Sequence, residues 1–121
     1  MAELAGLRAL VVEDEGPVAL LIEDMLIDLG CEIAAAATEL DTASEIARAA
    51  TIDFALLDLN LNGKSALPVA RILSERGIPF VFSTGYGVSG LAEEFSSHPM
   101  LAKPFVINDL RKKIVLALSR R

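Results

Sequence analysis

The chain contains one cysteine, Cys31, so no disulfide can form within it, and the residue reads as a small buried hydrophobe. Basic residues are outnumbered, 11 against 17 acidic ones. The resulting net charge of −6 argues against nucleic acid as a direct partner, because phosphate backbones are held by basic surfaces. No apolar run approaches the length that crosses a bilayer, and no charged leader followed by an apolar stretch opens the chain. These absences give the expectation of a cytoplasmic protein that makes no membrane contact. Internal repeats, low-complexity tracts and linkers are missing too. Residues 1–121 therefore read as a single domain, long enough to bury a core without disulfide or metal staples. The lone histidine, His98, stands before a proline and is expected at the surface.

What the chain has in plenty is apolar residues, 53% of the total, which suits a central sheet covered on both faces by helices. Five rounds of strand and helix follow one another. Residues 7–12 form an apolar run that ends in Glu13-Asp14-Glu15. Gly16-Pro17 then opens a helix whose Val18, Leu21, Ile22, Met25 and Leu29 recur at helical spacing until Gly30. Residues 31–37 make a second strand, and Thr38 with Asp41 three positions on has the form of a capping box for an alanine-rich helix over 40–50. The stretch Ile52-Asp53-Phe54-Ala55-Leu56-Leu57-Asp58 reads as a strand buried on both faces. After the turn Asn60-Leu61-Asn62-Gly63 a helix begins at Ser65 or Ala66, with Pro68 in its first turn and Gly77 as its stop. Residues 79–82 give a fourth strand running into Ser83-Thr84-Gly85-Tyr86-Gly87, and the segment 88–97 behind it is weakly periodic. Residues 100–102 precede Lys103-Pro104-Phe105, and a last helix carries Ile107, Leu110, Ile114 and Leu118 on one face. Alternating units with short connections imply parallel strands and right-handed crossovers. The expected architecture is an α/β/α three-layer sandwich with all five strand ends along one edge.

That edge gathers Glu13 and Asp14 after the first strand, Asp58 and Asn60 at the third, Thr84 after the fourth and Lys103 after the fifth. Alone, an aspartate at a strand end reads as a turn residue. In this company it reads differently, because ligands of open α/β sheets bind at the carboxyl edge and three converging carboxylates need a cation. A hard, oxygen-only ligand set suits Mg²⁺ better than zinc or a redox metal. One carboxylate can then act as a nucleophile towards phosphorus, while a lysine ammonium and a threonine hydroxyl hold the oxygens of the transferred group.

Val11-Val12-Glu13-Asp14-Glu15, Leu56-Leu57-Asp58-Leu59-Asn60, Ser83-Thr84-Gly85 and Lys103-Pro104-Phe105 look like the four signatures of the receiver domain of two-component response regulators, and the match covers essentially the whole chain. The resemblance implies a flavodoxin-like fold with a five-stranded parallel sheet in the order 2-1-3-4-5. It implies Asp58 as the phosphoacceptor, Glu13 and Asp14 as the acidic pair, and Asn60 as a Mg²⁺ ligand through its backbone carbonyl. Thr84 becomes the switch hydroxyl and Lys103 the phosphate partner. The function implied is a single-domain receiver without an output domain. It would accept a phosphoryl group from a histidine kinase, assist its own phosphorylation and dephosphorylation without being an enzyme, and change partner binding or relay phosphate. Residues 79–87 are also similar to the signature of the FAT GUY subfamily, with Ser83 where that pattern has alanine. This implies a kinase of the HWE or a related class as phosphodonor. Many receivers place an aromatic switch residue three positions before the lysine, where this chain has Met100, so residues 86–97 are expected to be mobile without phosphate. Tyr86 reads either as a screen for the acyl phosphate or as a packing residue. The alternative function is a Mg²⁺-dependent phosphatase or phosphotransferase with an aspartyl nucleophile. Such enzymes usually place a second carboxylate two residues on, where Asn60 stands.

Overall fold

The computed structural model describes residues 4–85 and 93–120. Its elements are β1 (Arg8–Val12), α1 (Gly16–Asp28), β2 (Glu32–Ala37), α2 (Leu40–Ala49), β3 (Phe54–Asp58), β4 (Asn60–Leu61), β5 (Lys64–Ser65), α3 (Leu67–Glu75), β6 (Phe80–Thr84), β7 (Met100–Ala102) and α4 (Ile107–Ser119). The main sheet runs β2-β1-β3-β6-β7 with every pairing parallel. Its five strands taken by themselves stand in the order 2-1-3-4-5, as the resemblance implied. The short pair β4 and β5 forms a separate antiparallel hairpin.

Side chains alternate along these strands and divide the core into two layers. Leu10, Val12, Ala55, Leu57, Phe80 and Phe82 pack under α2 and α3, against Ala43, Ala47, Val69, Ala70 and Leu73. Ala9, Val11, Phe54, Leu56, Val81 and Leu101 face α1 and α4, against Ile22, Leu26, Leu110 and Ile114. Cys31 is buried in this second layer, as expected. Gly30 and Gly77 adopt φ of 93° and 72° behind α1 and α3, the left-handed conformation that ends a helix.

Three local expectations need correction. Thr38 does not cap α2: the cap position is Glu39, with no side-chain hydrogen bond, and the acidic residue in the first turn is Asp41. The helix expected from Ser65 or Ala66 begins at Leu67, because Ser65 pairs with Asn60 in the hairpin whose tip is Asn62-Gly63. His98 is half-buried, not at the surface: its ring stacks on Phe80 at 4.1 Å and its Nε2 lies 3.0 Å from the Phe80 carbonyl. Burial holds the His98 imidazole below its ordinary value, the Phe80 carbonyl opposes this and the Arg120 charge adds to it. Within the weakly periodic segment, Glu93–Phe95 form a 3₁₀ turn that buries Phe95. Residues 86–92, and with them both readings of Tyr86, lie outside the described residues.

Candidate functional site

The pleat that separates the two core layers also builds the site. Val11, Leu56, Val81 and Leu101 all face α1 and α4, and two residues further along each strand stand Glu13, Asp58, Ser83 and Lys103. Ladder bonds from Glu13 N to the Ala37 carbonyl and from Lys103 N to the Thr84 carbonyl carry the pairing one residue past β1 and β7. Four polar side chains therefore continue one apolar face of the sheet at its carboxyl edge. Asp14 and Thr84 follow by one residue.

The Lys103 ammonium links the group. Its Nζ donates to Asp58 Oδ2 at 2.9 Å and lies 2.7 Å from Glu13 Oε1. Glu13 and Asp58 are 1% and 5% exposed, so these charges interact with little solvent screening. Burial pushes the Glu13 carboxyl up to about 7, against the lowering effect of Lys103 and of the Glu15 N–H, with the Asp58 charge adding to the rise. For Lys103 burial works against the ammonium, but Glu13 and Asp58 outweigh it and raise the group above its ordinary value.

The hairpin behind Asp58 sets the other side. Asn62 and Gly63 sit at its tip with φ of 54° and 85°, the pair of positive values that a two-residue type I′ turn requires. The turn aims the Asn62 N–H at Asp14 Oδ2, 3.0 Å away, while the Asn60 N–H donates to Asp58 Oδ1 at 3.2 Å. Partial burial would raise Asp14, but the Asn62 N–H and the neighbouring carboxyls hold it below the usual carboxylate range. The Asn60 side chain is occupied with the turn itself, its Oδ1 accepting from the Gly63 N–H at 2.6 Å.

One carboxylate oxygen from each of Glu13, Asp14 and Asp58 can be chosen so that all three lie within 4.8 Å of one another. Glu13 Oε1 is buried, with the Lys103 ammonium 2.7 Å away as its one close partner. Three carboxylates against one ammonium make an all-oxygen set with excess negative charge, which fits a hard divalent cation. A cleft of about 690 Å³ opens beside the group, lined by Asp14, Asp58, Asn60 and Lys103 together with Ile22 and Phe105.

The structure thus brings together Glu13, Asp14, Asp58, Asn60 and Lys103, and places Thr84, 6% exposed, at the end of the strand beside Asp58. Two contributors had no assigned role in the sequence reading. The Asn62 amide was legible in principle, since Asn-Gly is the strongest short hairpin signal. Ser83 was visible only as a departure from a motif.

Comparison with known proteins shows the family. Among curated proteins, the transcriptional regulatory protein PdtaR of Mycobacterium tuberculosis is 32% identical over 117 residues, 93% of this chain. The chain spans 57% of that relative's length. The solution structure of SdrG from Sphingomonas melonis Fr1 superposes with a TM-score of 0.84 at 34% identity, covering 98% of this chain and 99% of SdrG. The receiver domain of the PhyR response regulator from Erythrobacter litoralis gives 0.82 at 28% identity, covering 95% and 92%. The family model of the response regulator receiver domain matches residues 9–115, and the chain belongs to that family, the receiver module of two-component signalling.

Proposed function

We propose that Asp58 is the phosphoacceptor of this receiver and that its phosphorylation depends on Mg²⁺. The observation that carries the reading is the placement of the Asp58 carboxylate. It is buried yet faces the cleft, bonded on one oxygen to Lys103 and on the other to the Asn60 N–H, within reach of Glu13 and Asp14. Glu13, Asp14, Asp58 and the Asn60 carbonyl would hold Mg²⁺, which when bound neutralises charge on the phosphoryl oxygens.

An Asp58 oxygen forms the new bond to phosphorus as the bond from phosphorus to a kinase histidine nitrogen breaks, and the imidazole leaves with the electron pair. Lys103 stays beside the transferred group as a counter-charge, and the Thr84 hydroxyl holds one of its oxygens. The domain acts as a signalling switch that catalyses only its own modification and its reversal. The tie from Asn60 Oδ1 to the Gly63 N–H works against the phosphatase alternative, since an amide engaged in a turn supplies no general acid.

The likeness of residues 79–87 to the FAT GUY pattern supports a kinase of the HWE or a related class as donor. The output is contact with another protein or relay of the phosphoryl group, in the cytoplasm and without direct nucleic-acid binding. Among the described residues no helix is long and apolar enough to cross a membrane. Incubation with such a kinase, ATP and Mg²⁺ should add one phosphoryl group to the wild type by intact mass, and none to Asp58→Asn. Steady release of phosphate from small esters would instead revive the enzyme reading.

A further inference from the structure

Among the described residues, the buried side-chain oxygens that make no hydrogen bond are Glu13 Oε1 and Ser83 Oγ. Both stand on the same face of the same strand edge. The first still has the Lys103 ammonium 2.7 Å away as its counter-charge. The second is a hydroxyl on a residue 1% exposed, and leaving such a group unpaired is costly. Its surroundings say what it is for. Ser83 is the register partner of Asp58 on β3 and of Leu101 on β7. Directly opposed residues on neighbouring strands lie about 5 Å apart. Because β6 lies between β3 and β7, the Lys103 side chain must cross the end of β6 to reach Asp58. Ser83 therefore lies beside the Asp58 carboxylate and along the path of the ammonium.

We propose that Ser83 is a further catalytic residue, whose hydroxyl donates to an oxygen of the phosphoryl group carried by Asp58. The proposal rests on Asp58 as phosphoacceptor and adds a donor beyond Lys103 and Thr84. In the unmodified protein the hydroxyl has no acceptor in place. Once phosphorus is bonded to Asp58, the register partner of Ser83, its anionic oxygens supply one, and the bond strengthens as charge builds on them in transfer. With acetyl phosphate as donor, an Asp58 oxygen bonds to phosphorus while the bond from phosphorus to the acetyl oxygen breaks, and acetate departs with the electron pair. In the reverse loss, a water oxygen bonds to phosphorus, its proton passes to solvent and the Asp58 carboxylate leaves. Ser83 stabilises both transition states, so its removal slows both steps.

Ser83→Ala deletes only this oxygen, and because the hydroxyl is unpaired in the unmodified fold the variant should melt no lower than wild type. With acetyl phosphate and Mg²⁺, followed by intact mass, Ser83→Ala should be phosphorylated and dephosphorylated about tenfold more slowly, the size of one hydrogen bond to a charged group. The near-isosteric pair Ser83→Thr and Ser83→Val isolates the hydroxyl, and the threonine variant should be the faster by a similar factor. Equal rates for wild type and Ser83→Ala would overturn the assignment while leaving Asp58 as acceptor. No phosphoryl uptake by the wild type would overturn the acceptor reading itself, and this one with it.

Discussion

The two ends of the central sheet solve opposite problems. At the amino end, Arg8 and Asp53 bridge the starts of β1 and β3, with the Arg8 N–H donating to Asp53 Oδ2 at 2.8 Å and Nε at 3.3 Å. Phe80, which opens β6, joins His98, Phe82 and Phe95 in a cluster with ring centroids 4.1 to 5.7 Å apart. There the polar groups have partners and the apolar ones have neighbours. At the carboxyl end, Glu13 and Asp58 are buried around a partly exposed Lys103, and the Ser83 hydroxyl makes no hydrogen bond. One end pairs its polar groups; the other gathers three carboxylates against one ammonium. Stability is spent at the second end to keep a pre-organised site.

The largest effect that tests this division should come from the aromatic end. Phe80→Ala opens a cavity in the cluster and should cost about 3–5 kcal/mol in urea or thermal unfolding. A loss under 1 kcal/mol would mean that this end is not where the stability resides.

The charged end should be read next through pH, in protein freed of metal with chelator. Glu13 is raised from 4.5 to about 7 in the folded chain, so the folded state binds more protons than the unfolded state between those values. Its contribution is fully present below pH 4.5 and is lost as the pH rises to about 7, by up to about 3 kcal/mol. Glu13→Gln should flatten that slope, and adding Mg²⁺ should restore stability at neutral pH. The lowered Asp14 acts only below 3.8 and the raised Lys103 only above 10.5, so neither obscures the window.

The smallest effect has the opposite sign. His98 is held below 6.5 by burial, so its contribution is present above pH 6.5 and is lost as the pH falls through its folded value. His98→Asn should remove the bond to the Phe80 carbonyl at a cost of about 1 kcal/mol at pH 7.5, and should steepen the gain on acidification by leaving Glu13 unopposed. Opposite pH slopes from the two ends, separable by two single substitutions, are the signature of the comparison.

The sheet and its helices were legible because strands buried on both faces are written as short apolar runs, and because Gly30 and Gly77 mark the helix ends. The site was legible for a related reason. In a parallel sheet every strand end falls on one edge, so Glu13, Asp58 and Lys103 could be brought together without knowing any distance. Features set by tertiary neighbours were not legible. Thr38 has the composition of a cap, yet the chain enters α2 one residue later, through an extended Glu39. His98 sits in a polar-looking stretch, and its burial is decided by Phe80, eighteen residues away. The neighbours of Ser83 are set by register with β3 and β7, which no local pattern encodes.

Asp58 as the metal-assisted acceptor remains the central claim, and acetyl phosphate tests it without any partner. Wild-type protein with acetyl phosphate and Mg²⁺ should gain one phosphoryl group by intact mass, mapped to the peptide carrying Asp58 and lost when chelator replaces Mg²⁺. Uptake that persists in Asp58→Asn, or that is indifferent to Mg²⁺, would contradict the account.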